Sequence, residues 1–258
     1  GGSKGAPLAQ LFHGDCLDVM PLLDPVSHVI ADPPYEDELH NAVGSVNRVR
    51  KDGRVVQAFG FEGINATRAE VARQVAAISS GWALLFSLAE GVRAWRDDLQ
   101  AAGAKWDTTL VWIKPDAMPR FNGQGAARGF ENCVSAWCGR GHRSWNGGGK
   151  RGVFTHNVNG RRPGGHPTEK PMALMAELIL LYTQPGDVIL DPFMGSGTTG
   201  VACLKTGRRF IGIERDLGWF AVAEARLRRA VAEAKAQPDF FTPRVKAKQT
   251  AMRFEGAA

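Results

Sequence analysis

Cysteine is scarce in this chain: Cys16, Cys133, Cys138 and Cys203 are the four in 258 residues. Their scatter offers no disulfide framework. Cys133 and Cys138 lack both the two-residue gap and the second ligand pair of a zinc site, so no metal is expected. Such thiol usage fits a reducing compartment, and the cytoplasm is the expected location. Long apolar runs are missing too. No stretch reaches the roughly 20 residues of a membrane span, and the opening GGSKGAPLAQ has no apolar signal core. Gly1-Gly2-Ser3 reads as an appended remnant and is left out of the fold reading. No repeat of fixed period is visible, which excludes solenoids.

Apolar residues make up 44% of the chain and charged residues 22%, enough for one large core or a core with a small subdomain. The net charge of +6 attracts polyanions, nucleic acid being the commonest. The positive residues thicken at Arg120, Arg128, Arg140, Arg143, Lys150, Arg151, Arg161 and Arg162.

LAQLFHGD, CLDVMPLL and SHVIADPPY read as strand, short helix and strand. Val71, Val75 and Ile78 lie at helical spacing, WALLFSL is an apolar run of strand length, and a helix is expected through Val92, Trp95 and Leu99. TTLVWIKP is β-rich and stops at Pro115. Between Asp116 and about Gly165 the pattern dissolves into glycine-rich basic segments with interleaved aromatics, and so long a loop region is read as functional. Alternation returns with Pro171 at a helix N1 position, the helix MALMAELILLYT, the strand VILDPF, a helix ending on a C′ glycine, the strand RFIGIE and a long amphipathic helix. Strands alternating with helices imply a mainly parallel sheet covered on both faces.

Two stretches carry chemistry. In HVIADPPYEDEL a β-branched run ends on Asp32-Pro33-Pro34-Tyr35. Two prolines remove two donors and fix φ, so the strand has a rigid exit that can hold a carboxylate and a ring in place. In VILDPFMGSGTTG a strand runs through Asp191 into the glycine turn Gly195-Ser196-Gly197 and a helix. Those glycines let backbone approach a ligand at the carboxyl edge of a parallel sheet, and Glu214 ends the next strand where ribose hydroxyls would be bound. Gly195, Gly197 and Gly200 also satisfy the dinucleotide fingerprint, which leaves an NAD enzyme as a rival. Asp191 would repel a pyrophosphate, whereas the sulfonium and amino group of S-adenosyl-L-methionine would welcome it.

DPPY and DPFMGSGTTG, with GHPTEKP just ahead of the second, resemble the amino-group DNA methyltransferases. Their order, with the DPPY motif first, is similar to the permuted β class of that family. The resemblance runs from Gly14 to Glu214. It implies a Rossmann-like, mainly parallel seven-stranded sheet in circularly permuted order. Residues 1–115 would form the catalytic half, 116–165 a loop-rich target-recognition insert, 166–237 the cofactor half and 238–258 a basic tail. It further implies that Asp191, Phe193, Gly195, Ser196, Gly197, Thr198 and Glu214 hold S-adenosyl-L-methionine. By the same resemblance Asp15 and Cys16 meet its adenine, and Thr168 and Lys170 its carboxylate end. Asp15 and Thr168 also fit as helix caps, and Lys170 as a solvated lysine.

Methyl transfer to an exocyclic amine needs the nitrogen lone pair freed and aimed. Asp32 can accept one N–H and the Pro33 carbonyl the other, with Pro34 keeping the unit rigid and Tyr35 stacking on a base turned out of the duplex. No Pro-Cys nucleophile of the C5-cytosine kind is present. The expected partner is double-stranded DNA, with Arg120, Arg128, Arg143, Lys150 and Arg151 as candidate contacts, although loop arginines are as often simply solvated. Asp37, Glu38 and the sequence to Gly63 are expected to form a second loop over the base pocket. An aspartate heading the motif resembles the adenine-N6 enzymes, with cytosine-N4 as the alternative. RNA or protein methylation and a non-catalytic DNA-binding module also stay open. The resemblance permits a restriction-modification context and a homodimer.

Overall fold

A computed structural model of the chain describes residues 7–34, 48–49, 55–56, 64–119, 123–158 and 169–236. β1 (Ala9–His13), the single helical turn α1 (Cys16–Val19) and β2 (His28–Ala31) are followed by a small antiparallel pair, β3 (Arg48–Val49) and β4 (Val55–Val56). Then come α2 (Arg68–Ile78), β5 (Trp82–Ser87), α3 (Val92–Ala101), β6 (Lys105–Ile113), β7 (Phe130–Trp137) and β8 (Val153–Thr155). The C-terminal part adds α4 (Met172–Tyr182), β9 (Val188–Asp191), α5 (Thr198–Lys205), β10 (Arg209–Glu214) and α6 (Leu217–Ala236).

The large sheet has eight strands in the order β1-β10-β9-β2-β5-β7-β6-β8. β1, β10, β9, β2 and β5 are mutually parallel, and β7 runs antiparallel to both β5 and β6. The permuted order is visible in space, because the last two strands insert between the first two. Seven strands match the expectation. The eighth, β8, pairs parallel with β6 from within the glycine-rich segment and is too short to show a period.

Alternate strand residues feed two apolar layers. Ile30, Leu84, Phe86, Ile189 and Phe210 pack under α4, α5 and α6. Val29, Ala31, Leu85, Val134, Leu190 and Ile213 pack under α1, α2 and α3. Helical spacing explains the covers: Val71, Val75 and Ile78 of α2, and Trp95 and Leu99 of α3, are all buried. In α5 every residue but the terminal lysine is buried, and Gly200 is needed there because a Cβ would lie 2.5 Å from the Phe210 ring. The helix closes on Gly207 in the left-handed region at φ 78°, as expected of a C′ glycine. Pro171 is the N-cap of α4 rather than its first helical residue.

One expectation fails. β7 lies inside the stretch read as aperiodic, yet it is a central strand, and every residue after Phe130 is buried. A strand covered on both faces has no alternation to reveal it. Glu131, Asn132 and Ser135 further disguise FENCVSAW as loop.

Candidate active site

Strand order reverses between β9 and β2, the switch point at which open α/β sheets bind ligands beyond the strand carboxyl ends. Asp191 is the last residue of β9 and Asp32 follows directly on β2. The two motifs, 159 residues apart in sequence, therefore end on neighbouring strands.

Asp32 leads the buried Pro33 and half-buried Pro34. Its Oδ2 accepts from Lys170 Nζ at 2.6 Å. Its Oδ1 is buried and has no hydrogen-bond partner among the described residues. Lys170 is only 6% exposed and also contacts Glu131 Oε2 at 3.1 Å. Glu131 in turn pairs with Lys114 at the end of β6. Burial pushes the Asp32 carboxyl above its ordinary value; Lys170 opposes this and the Glu131 charge adds to it. Burial also raises Glu131, but the Lys170 and Lys114 ammonium groups outweigh it and hold its carboxyl low. Lys170 is thus not the solvated lysine that was one reading of its sequence. Its ammonium serves Asp32.

On the β9 side the Asp191 carboxylate is 2% exposed. Oδ1 accepts from Phe193 N at 3.0 Å and Oδ2 from Thr199 Oγ1 at 2.6 Å. Burial nevertheless lifts its carboxyl to about 7, with the Asp32 and Glu214 charges pushing the same way. Glu214 ends β10 and accepts from Gly195 N at 2.9 Å and Asp216 N at 2.7 Å. Burial is the main reason its carboxyl is also raised.

Both turn glycines are left-handed, but they differ in what surrounds them. A Cβ on Gly195 (φ 50°) would meet nothing within 4 Å, whereas one on Gly197 (φ 81°) would lie 3.1 Å from the Ala223 Cβ of α6. Gly195 therefore faces open space and Gly197 faces the packed helix. The Ser196 and Thr198 hydroxyls, expected to meet a cofactor, are turned inward. Arg226 of α6 donates to Ser196 O at 2.6 Å, Ser196 Oγ at 2.9 Å and Glu169 Oε1 at 2.8 Å, and Thr198 Oγ1 donates to Glu169 at 2.7 Å. Phe193 is half-buried against the layer under α1–α3.

Asp15 caps α1, accepting from Leu17 N at 2.9 Å through Oδ1, and the capping reading holds for that oxygen. Cys16 is buried, and its thiol is pushed up to about 12, chiefly by that burial. Tyr35, Thr168, Arg120, Asp37 and Glu38 lie outside the described residues.

Of the remaining basic candidates, Arg128, two residues before β7, lies towards this edge, whereas Arg143 and Lys150 lie at the opposite one. Arg143 bonds Asp107 at 2.5 Å and lies over the Trp82 ring, and Lys150 pairs with Glu177 at 3.0 Å. Both line a cavity of about 280 Å³ beside Trp82, the first residue of β5 and hence at the amino end of the parallel strands. Arg128 pairs with Glu90 at 2.7 Å on the surface, and Arg151 is exposed.

Glu131, Lys114, Thr199, Glu169 and Arg226 escaped the sequence reading. Thr199 and Glu169 had a signal, since each sits inside a quoted motif. Arg226 lies on an amphipathic helix among other arginines, and Glu131 on the strand that was missed. Among the described residues no group of three or more His, Cys, Asp and Glu could hold a metal ion. No helix there is long and apolar enough to cross a membrane.

An acid on each of two neighbouring strand ends, one beside a glycine turn and one beside a buried lysine, is the arrangement of an α/β enzyme that brings two ligands together. Residues 26–225 match the model of the N6_N4_Mtase family, described as DNA methylase, and the chain belongs to that family. The M1.HpyAVI–SAM complex is similar over 85% of this chain and 98% of its own, at 27% identity and a TM-score of 0.69. The cytosine-N4-specific PvuII DNA methyltransferase shares the fold at 15% identity and a TM-score of 0.64, over 89% of this chain and 92% of its own. A type II methyltransferase of Streptococcus pneumoniae, M2.DpnII, is 53% identical over 64 residues, which span 25% of this chain and 24% of that relative.

Proposed function

We propose that this chain transfers a methyl group from S-adenosyl-L-methionine to the exocyclic N6 amine of adenine in double-stranded DNA, on a base turned out of the helix. The observation that carries this reading is Asp32 Oδ1, a buried acceptor without a partner among the described residues. A buried carboxylate oxygen left unbonded is destabilising by about 1–3 kcal/mol. An incoming amine N–H would satisfy it.

The residues at the β9 edge fit the cofactor. Gly195 leaves open space where a Cβ would stand, Asp191 supplies a buried carboxylate for a cationic amino group, and Glu214 supplies one for ribose hydroxyls. An uncompensated acid at Asp191 also argues against a pyrophosphate there, and hence against NAD. The related M1.HpyAVI, crystallised with SAM, supports the assignment. When bound, S-adenosyl-L-methionine supplies an electrophilic methyl group on a sulfonium.

Asp32 Oδ1 accepts one amine N–H and the Pro33 carbonyl the other, drawing the nitrogen lone pair out of conjugation. The carbon–nitrogen bond forms as the carbon–sulfur bond breaks, leaving a thioether, and the surplus amine proton departs onto Asp32 and from there to solvent. Lys170 holds Asp32 in one orientation throughout. Tyr35 would stack on the base.

Adenine is favoured over cytosine by the aspartate heading DPPY. Incubating the protein with unmethylated genomic DNA and S-adenosyl-L-methionine, followed by nucleoside mass spectrometry, tests the reading. N6-methyladenine is expected. N4-methylcytosine would overturn the choice of base alone, and cofactor binding without any DNA modification would point to RNA or protein amines.

A further inference from the structure

Behind Asp32 lies a row of alternating charges that the motifs do not announce. Lys114, at the carboxyl end of β6, pairs with Glu131 of β7; Glu131 meets Lys170 at 3.1 Å; and Lys170 meets Asp32 at 2.6 Å. The side chains of Lys114, Glu131 and Lys170 are 14%, 9% and 6% exposed. Each lysine also lies over an aromatic ring, Lys114 over Trp112 at 4.5 Å and Lys170 over Phe86 at 5.1 Å. Burying the Lys114, Glu131 and Lys170 charges is costly unless every one is compensated, and packing that layer with apolar residues would be simpler. The row is one-sided. It ends on the Asp32 carboxylate, at 25% the most exposed of the four side chains and, in the proposed reaction, the one that faces the amine.

We propose that Glu131 and Lys114 are positioning residues which, acting through Lys170, set the pH at which Asp32 is ionised and able to accept the amine proton. The proposal rests on the methyltransferase reading above and assigns two residues that touch neither substrate nor cofactor. Asp32 is faced by Lys170 from the segment before α4, by Glu131 and Cys133 from β7, by Lys114 from β6 and by Asp191 from β9. Cys133 is held as the neutral thiol by its burial, so it adds no charge. Among the others the Glu131 charge disfavours ionised Asp32, while Lys170 and Lys114 favour it. Opposite signs at Glu131 and Lys114 make the inference sharp: neutralising either should move Asp32 in opposite directions, which a merely structural role would not do.

The test is a carboxyl-carbon NMR titration of Asp32, assigned by its loss in Asp32→Asn, in the wild type, Glu131→Gln and Lys114→Gln. It runs beside pH profiles of the transfer rate from about pH 5 to about pH 9. In Glu131→Gln the Asp32 midpoint and the acid limb of the rate both move to lower pH. In Lys114→Gln both move higher. A shift of about half a pH unit reads as roughly threefold in rate on the acid limb, up for the first variant and down for the second. Midpoints that stay put, or move the same way in both variants, overturn the proposal. So does an acid limb that ignores a shifted Asp32. Should Glu131→Gln not fold, Lys114→Gln at the outer end decides alone. A wild type that modifies no DNA would fail the functional reading, while the titration still judges the charge row.

Discussion

Replacing Asp191 by asparagine should make the protein more stable and less able to bind its cofactor, and both effects should depend on pH. Asp191 has an ordinary value of 3.8 and a value of about 7 in the fold. Folding therefore favours its protonated form. The associated stability is complete below about pH 3.8 and is lost as the pH rises through about 7. The difference of about 3 units, at 1.36 kcal/mol each, gives a ceiling of about 4 kcal/mol of strain above neutrality. Asparagine has the same shape. Its carbonyl can accept from Phe193 N, and its amide can donate to the Thr199 hydroxyl, which now donates to Asp191, so both contacts are kept with the second reversed. In urea denaturation, Asp191→Asn should exceed the wild type by a margin that grows from near zero at about pH 4 towards that ceiling at about pH 8.

The strain should be repaid by a cation. An amino group or sulfonium arriving at Asp191 favours the carboxylate, so binding of S-adenosyl-L-methionine should release a proton near neutrality and tighten as the pH rises through about 7. Calorimetry in buffers of different ionisation enthalpy reads that proton directly. The asparagine variant should bind weakly and without proton release. A stability margin that is flat with pH, or a variant that binds the cofactor as well as the wild type, would refute the reasoning.

On the proposed assignment, Asp32→Ala should abolish methyl transfer while cofactor affinity, read by the same calorimetry, stays within about twofold, because Asp32 follows β2 and the glycine turn follows β9. Gly195→Val and Gly197→Val should differ in kind. Both force a β-branched residue into left-handed backbone and lower the thermal midpoint; the first fills open space and weakens cofactor binding, whereas the second also drives a side chain against Ala223 and Leu227 at 3.1–3.3 Å and lowers the midpoint further. Arg226→Met leaves Glu169, 3% exposed, without its guanidinium and frees the Ser196 carbonyl. Loss of that buried pair should destabilise the protein by about 3–5 kcal/mol at neutral pH and raise the KM for the cofactor, read by urea denaturation and steady-state rates.

How legible each part was in sequence follows from how local its cause is. Asp191 and its glycines were readable because a turn must be built from neighbours, and left-handed φ at Gly195 and Gly197 leaves its mark in residue type. The helices α2 and α3 were readable because solvent on one face enforces a period. β7 was not readable: sheet on both sides and helices on both faces remove the contrast from which a period arises. With β7 went Glu131, whose meaning lies in Lys170 and Lys114, 39 and 17 residues distant. The solvated reading of Lys170 failed, since nothing local distinguishes a lysine in water from one 6% exposed between two carboxylates. Arg143 and Lys150 have partners that the sequence did not announce. Their basic, aromatic-rich context suggested DNA, but each already holds an acid, Asp107 or Glu177, away from the catalytic edge.

The two carboxylates at the switch point show why so much charge is buried in one place. Both Asp32 and Asp191 are raised by burial, yet their neighbours differ. Asp32 has an ammonium at 2.6 Å, whereas the groups acting on Asp191 are a hydroxyl, an amide and two further acids. A lysine beside Asp191 would neutralise the acid and repel a cationic ligand, so that carboxylate gains its counter-charge only when the cofactor arrives. The target amine is neutral and brings no charge. In the proposed reaction Asp32 has to be ionised before the base enters, and Lys170 is the group that favours that form against burial. Exchanging the two environments would leave a neutral acid facing the amine and a positive charge facing the sulfonium, wrong for both ligands at once.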